Sequence, residues 1–121
     1  SDPTEALAMT AMFAANHTIG IKAIIALTAS GTTPLLMSRL SSGLPIFALS
    51  SNTQTLNYCA LYRGVTPVKF NSTTTNNAVF TRNAIETLKD SGYLQDGDLV
   101  LITHGEDHYA GSTNTCKIAQ V

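Results

Sequence analysis

The chain has 121 residues, 44% of them hydrophobic and 12% charged, with seven Lys plus Arg against eight Asp plus Glu and a formal net charge of -1. A charged share about half of the usual ~25% excludes a charge-driven disordered segment, a coiled coil and a basic nucleic-acid stripe, and the near-neutral balance attracts no polyanion by bulk charge. The length suits one domain over residues 1–121, able to bury roughly two thirds of its unfolded surface with no disulfide or metal.

The chain opens on a helix. Asp2, Pro3 and Glu5 form a cap, a proline where its missing N–H costs nothing, and a carboxylate reaching back. Leu7, Met12, Phe13 and several alanines then supply an apolar face until Asn16, His17 and Gly20 stop it. Residues 23–28 (Ala-Ile-Ile-Ala-Leu-Thr) form a continuous apolar run rich in β-branched side chains, as in a strand buried on both faces. Residues 32–41 follow as a helix, with Leu35, Leu36, Arg39 and Leu40 spaced by three or four. The alternation repeats: residues 45–49 as a strand, then residues 52–62 as a helix capped by Ser50, Ser51 or Asn52. Residues 66–70 are a short strand that Pro67 assigns to a sheet edge. After a polar stretch, Ala78, Ile85 and Leu88 carry another helix ended by Ser91 and Gly92.

Residues 98–103 (Asp-Leu-Val-Leu-Ile-Thr) read as a further buried strand, and residues 113–121 alternate like a strand facing solvent on one side. Strands that alternate with helices imply right-handed crossovers and a parallel sheet. The last strand follows its neighbour without a helix and therefore runs antiparallel. The expected fold is a three-layer α/β/α sandwich around a five-stranded mixed sheet, four strands parallel and the C-terminal one antiparallel.

The distant cysteines, Cys59 and Cys116, read as small buried thiols of a reduced, cytoplasmic protein rather than as metal ligands. The N-terminal residues carry no signal-peptide pattern, and no apolar run approaches the roughly 20 residues of a membrane span. Tyr58, Tyr62, Phe47 and Phe70 sit in apolar patterns and are expected in the core. His17 reads as a helix-terminal cap or surface residue, and Arg39 and Arg63 as solvated charges.

Ligands of open α/β sheets bind beyond the carboxyl ends of the strands, and two loops leave such ends. The first, residues 28–33, offers the hydroxyls of Thr28, Ser30, Thr32 and Thr33, the close approach allowed by Gly31, and the N–H groups of a helix N-terminus. That set suits a phosphate; equally, Ser30 and Thr32 could simply cap the helix while Gly31 makes the turn. Without a lysine or a Gly-x-x-x-x-Gly-Lys pattern it is not a nucleoside-triphosphate loop. The second, residues 104–115, holds His104, Glu106, Asp107 and His108. A metal site would need a helix to stack the two imidazoles, and a catalytic base at Glu106 or Asp107 would need a nucleophile that the chain does not supply. No catalytic residue and no metal ligand is therefore assigned.

Several segments resemble, in register, the C-terminal domain of pyruvate kinase: Lys22-Ala23-Ile24-Ile25-Ala26-Leu27-Thr28-Ala29-Ser30-Gly31, Leu44-Pro45-Ile46-Phe47-Ala48-Leu49 and Ala60-Leu61-Tyr62-Arg63-Gly64-Val65-Thr66-Pro67-Val68. Gly92-Tyr93-Leu94 with Gly97-Asp98-Leu99-Val100, and Gly111-Ser112-Thr113-Asn114-Thr115, continue the series, and the opening Pro3-Thr4-Glu5-Ala6 fits it. The likeness is to the bacterial type activated by AMP and sugar monophosphates.

The resemblance implies a cytoplasmic glycolytic enzyme that transfers phosphate from phosphoenolpyruvate to ADP with Mg or Mn and usually K, in a barrel domain outside these residues. This domain would need no cofactor and, alone, would be catalytically inactive. It would bind a phosphorylated allosteric effector and self-associate, as a homodimer here and a homotetramer in the whole enzyme, with no nucleic-acid or membrane partner. The family's phosphate loop, Thr-x-Ser-Gly-x-Ser/Thr, is matched by Thr28, Ser30, Gly31 and Thr33, with Thr32 in the variable place; Glu106, Asp107, Gly111 and Ser112 belong to the loop that would fold over the effector. Departures point to a monophosphate rather than fructose 1,6-bisphosphate. Ala29 stands where relatives often carry a charge, Pro34-Leu35 where many have Ala-Arg, and the second loop has carboxylates instead of an arginine. The alternative implied by the same departures is a structural dimerisation module with a vestigial phosphate pocket.

Overall fold

A computed structural model describes residues 3–40, 43–71, 74, 76–104 and 115–121. Helix α1 (Pro3–His17) leads into β1 (Ile21–Leu27), α2 (Thr32–Leu40), β2 (Ile46–Ser50) and α3 (Thr53–Cys59); β3 (Val65–Lys69), α4 (Asn77–Asp90), β4 (Leu99–His104) and β5 (Thr115–Gln120) complete the order. The sheet runs β3-β2-β1-β4-β5, with β4 and β5 antiparallel and the other neighbours parallel. The expected four parallel strands and antiparallel C-terminal strand are what forms, and Pro67 lies on the edge strand β3, where its missing N–H breaks no inner ladder.

Strand period two separates the side chains into two cores. Ile24, Ala26, Ile46, Ala48 and Leu101 pack with Ala8, Ala11 and Met12 of α1, Met37 of α2 and Cys59 of α3. Ala23, Ile25, Phe47, Leu49, Val100 and Ile102 pack with Ala84 and Leu88 of α4 and with Phe70 and Leu94. Burial on both faces explains why β1 and β2 read as unbroken apolar runs, while β5 is only half-covered.

Local signals set the ends. Asn52 Oδ1 accepts from Thr55 N at 3.1 Å, so Asn52 is the cap of α3; Ser50 Oγ accepts instead from Asn52 N at 3.2 Å. The N–H groups of Leu61 and Tyr62 reach back only three residues, to Tyr58 and Cys59, so α3 ends at Cys59 rather than at the expected residue 62. Asn76 Oδ1 caps α4 by accepting from Ala78 N and Val79 N. His17 Nδ1 bonds the Phe13 carbonyl at 2.8 Å and its ring stacks on Phe13, the expected helix-terminal surface role.

One expected core residue and two helix-face residues prove exposed. Tyr58 is 52% exposed: α3 is so short that only Thr55 and Cys59 turn inward, and Tyr58 falls on the outer face beside Gln54. Phe13 of α1 and Leu40 of α2 are likewise exposed, because the inward faces are Thr4-Ala8-Ala11-Met12-Ala15 and Thr33-Pro34-Met37; Leu7 is half-buried. Phe47 and Phe70 are buried and Tyr62 is half-buried, while Arg39 and Arg63 are exposed. Cys59 is buried and Cys116 half-buried, both as free thiols. No helix among the described residues is long and apolar enough to cross a membrane.

Candidate functional site

The chain starts its sheet in the middle. It moves from β1 outward to β2 and β3, then returns through α4 on the opposite face to β4. Connections therefore diverge at the carboxyl ends of β1 and β4, which is where an open α/β sheet leaves a crevice. Leu27 and His104 are paired in register at that place.

On one side of the crevice lies the turn from β1 into α2. Thr28 N still bonds Leu49 O at 3.0 Å, and the buried Thr28 Oγ1 accepts from Gly31 N at 2.9 Å, closing residues 28–31 into a tight loop. Gly31 has φ +84°, in the left-handed region that disfavours side chains. A Cβ there would sit 3.3 Å from both Cys59 Sγ and Thr55 Cγ2. The turn is thus seated on α3, and Thr55 Oγ1 donates to Ala29 O at 2.6 Å to fix it. Ser30 Oγ donates to Thr32 Oγ1 at 3.0 Å and accepts a long bond, 3.3 Å, from Thr32 N. Burial pushes the Cys59 thiol pKa up, so the sulfur beneath the turn stays protonated and neutral.

Thr33 stands out. It lies in the first turn of α2, is 2% exposed, and its Oγ1 has no hydrogen-bond partner among the described residues. Buried hydroxyls are almost always paired, and a helix N-terminus carries N–H groups with no partner inside the helix. The turn therefore combines an unspent buried hydroxyl with the positive end of a helix dipole, an arrangement that favours an anion.

A cleft of about 450 Å³ adjoins the root of this turn. Its polar lining comes from Thr28, Ser50, Ser51, Asn71 and the backbone of Ala29, and its apolar lining from Leu27, Leu49, Phe70 and Phe80 with His104 beside them. The aromatic groups hold one another: Phe80 meets Phe70 edge-on at 5.1 Å, and the His104 ring lies flat on Phe80, centroids 4.9 Å apart and planes 5° apart. Burial, and secondarily the Lys117 charge, lowers the His104 pKa from its ordinary value, so the imidazole is neutral at pH 7. Lys69 Nζ, reaching from β3 to Ser51 O and Thr53 Oγ1, pins the rim of the cleft.

Of the expected site residues, Thr28, Ser30, Gly31, Thr32 and Thr33 share this one turn, with Thr28 directly on the cleft. Glu106, Asp107, Gly111 and Ser112 lie outside the described residues, as does His108. Among the described residues no group of three or more His, Cys, Asp or Glu could hold a metal ion. Sequence reasoning passed over Ser50, Asn71 and Phe80. The first two follow the carboxyl ends of β2 and β3, so the strand-end rule would have found them. Phe80 comes from the first turn of α4 and is brought in only by packing.

Residues 5–119 match the family model described as pyruvate kinase, alpha/beta domain. The chain is 54% identical over 113 residues to a pyruvate kinase of Haemophilus influenzae, covering 93% of this chain and 23% of the relative. It is 54% identical over 118 residues to pyruvate kinase II of Salmonella typhimurium, covering 97% and 24% respectively. With a pyruvate kinase of Buchnera aphidicola from Acyrthosiphon pisum it shares 53% over 121 residues, 99% of this chain and 25% of the other. The chain thus spans about a quarter of the length of these relatives. It belongs to the family of pyruvate kinase C-terminal alpha/beta domains.

Proposed function

We propose that this domain is the regulatory and subunit-interface part of a pyruvate kinase, and that its turn at residues 28–33 receives the phosphate of a small effector. The observation that carries the reading is the buried, unpartnered Thr33 hydroxyl in the first turn of α2, at the far end of a turn whose root, Thr28 and Ala29, lines a cleft large enough for a sugar or nucleoside. The phosphate would take Thr33 Oγ1, the Ser30 and Thr32 hydroxyls and the backbone N–H groups of the turn, and the organic part would lie over Phe70 and Phe80. No lysine or arginine lines the cleft among the described residues, which favours one phosphate over two. AMP and sugar monophosphates are therefore the effectors proposed. Transfer of phosphate from phosphoenolpyruvate to ADP, with its Mg or Mn and K, would belong to the rest of a longer enzyme, and no residue here is assigned to those ions.

Calorimetric titration with AMP, ribose 5-phosphate, glucose 6-phosphate and fructose 1,6-bisphosphate tests the proposal. Saturable binding of a monophosphate that disappears in Ser30→Ala/Thr33→Ala, with the fold retained, is the expected result. Unchanged affinity in that double variant would remove the phosphate site.

A specific observation favours the subunit-interface role. β5 closes one end of the sheet with its outer ladder uncovered among the described residues, and Ile118 on it is 47% exposed. Pairing of β5 with a second copy across a two-fold axis would satisfy that edge. Sedimentation that finds only monomer at high concentration would count against it.

A further inference from the structure

Resting on the effector site just proposed, we infer that His104 is its proton-linked positioning residue: a phosphate seated on the turn that adjoins the cleft draws a proton onto the imidazole, so binding tightens as pH falls. The observation behind this is that His104 is the single ionisable side chain lining the cleft among its described residues. Its place is fixed from two sides. Register pairing sets its backbone beside Leu27, directly before Thr28 at the root of the turn, and the flat stack on Phe80 sets the plane of the ring.

The surrounding charges agree with a neutral resting state. From β5, Lys117 disfavours the imidazolium, together with burial of the ring. From α4 the neighbour in contact is the uncharged Phe80, and Arg82 and Glu86 line a separate depression with Lys117. From β1 the facing residue is Leu27. Segment 105–114, with Glu106, Asp107 and His108, lies outside the described residues, so the test separates His108 by mutation. A phosphate dianion on the turn, whose root at Thr28 follows the Leu27 paired with His104, opposes both effects that hold His104 neutral. Lys69 of β3, at the rim, is already bonded to Ser51 O and Thr53 Oγ1, so the counter-charge the lining itself can supply is a proton on His104. The sign follows from linkage. The liganded midpoint lies above the free one, so the extra affinity is complete below the free midpoint and is lost as pH rises through the liganded one.

The test is calorimetry of this chain with AMP, ribose 5-phosphate and glucose 6-phosphate near pH 6.5, in buffers of different ionisation enthalpy. The ligand's own phosphate equilibrium is common to every variant and cancels in the difference. The wild-type chain should take up about half a proton more per site than His104→Gln, and His108→Gln should behave as wild type. By NMR, the His104 imidazole midpoint should rise by about one unit on saturation, equivalent to about tenfold in affinity. This measurement needs no variant, and so decides the matter even where His104→Gln fails to fold. Saturable binding with an unmoved His104 resonance, or with uptake abolished by His108→Gln instead, overturns the role of His104 and leaves the effector site standing. Absence of binding by all three phosphates overturns both.

Discussion

Two threonines five residues apart, Thr28 and Thr33, are buried alike but differently partnered, and replacing each by the isosteric valine should have opposite effects. In the free domain Thr33 Oγ1 is buried without a partner, whereas Thr28 Oγ1 accepts the Gly31 N–H at 2.9 Å. A buried hydroxyl left unpaired costs roughly 1–3 kcal/mol. Thr33→Val removes that burden, and the helix propensities of Thr and Val are nearly equal. The ligand-free domain should therefore gain about 1 kcal/mol. Thr28→Val does the reverse: it orphans a buried N–H and costs about 1–3 kcal/mol. Binding separates the two roles further. The Thr33 hydroxyl would donate to a charged oxygen, a bond worth about 1.5–3 kcal/mol, so Thr33→Val should weaken monophosphate binding about ten- to hundredfold. Urea unfolding supplies the stabilities, provided the slope stays constant between variants, and calorimetry supplies the affinities. If Thr33→Val destabilises as much as Thr28→Val, or leaves affinity untouched, the idea of a hydroxyl held in reserve for a ligand is wrong.

Gly31→Ala should cost about 1–2 kcal/mol for the left-handed backbone, plus a further loss from the 3.3 Å approaches to Cys59 and Thr55. Gly20→Ala, at φ +93° with nothing within 4 Å, isolates the backbone share, and equal losses in the two variants would deny that the turn is tightly seated on α3. Because burial and then Lys117 lower the His104 pKa, the unfolded chain takes up this proton first on acidification. Stability should fall as pH drops below about 6.5 toward the folded-state midpoint and then level off. His104→Gln should flatten that part of the profile, and an unchanged acid slope in urea midpoints at successive pH values would contradict it. Asn76→Ala removes the acceptor for Ala78 N and Val79 N and should cost about 1 kcal/mol, read as a lower thermal midpoint.

Most of the architecture was legible because its signals are local. The unbroken apolar runs of β1, β2 and β4 marked strands covered on both faces, and the absence of a helix before β5 fixed its direction. Pro67 announced an edge, and a glycine at the start of α2 announced a special turn. Less legible were the helix faces. Short helices such as α3 show too few turns for periodicity to decide which side is buried, so Tyr58 read as core although it faces out, and Phe13 followed the same error on α1.

By itself, then, the sequence determined the elements, their order, the sheet's mixed direction and the special turn that gathers Thr28, Ser30, Gly31 and Thr33, since each depends on side chains within a few residues of one another. Tertiary structure alone decided that Thr33 Oγ1 is buried without a partner among the described residues, that Gly31 rests on Cys59 and Thr55, and that Phe80 and His104 stack in the cleft that the Thr28 turn adjoins. These relations join α2 to α3 and α4 to β4. They arise because the chain reverses its path across the sheet between β3 and β4, a long-range event that no local pattern records.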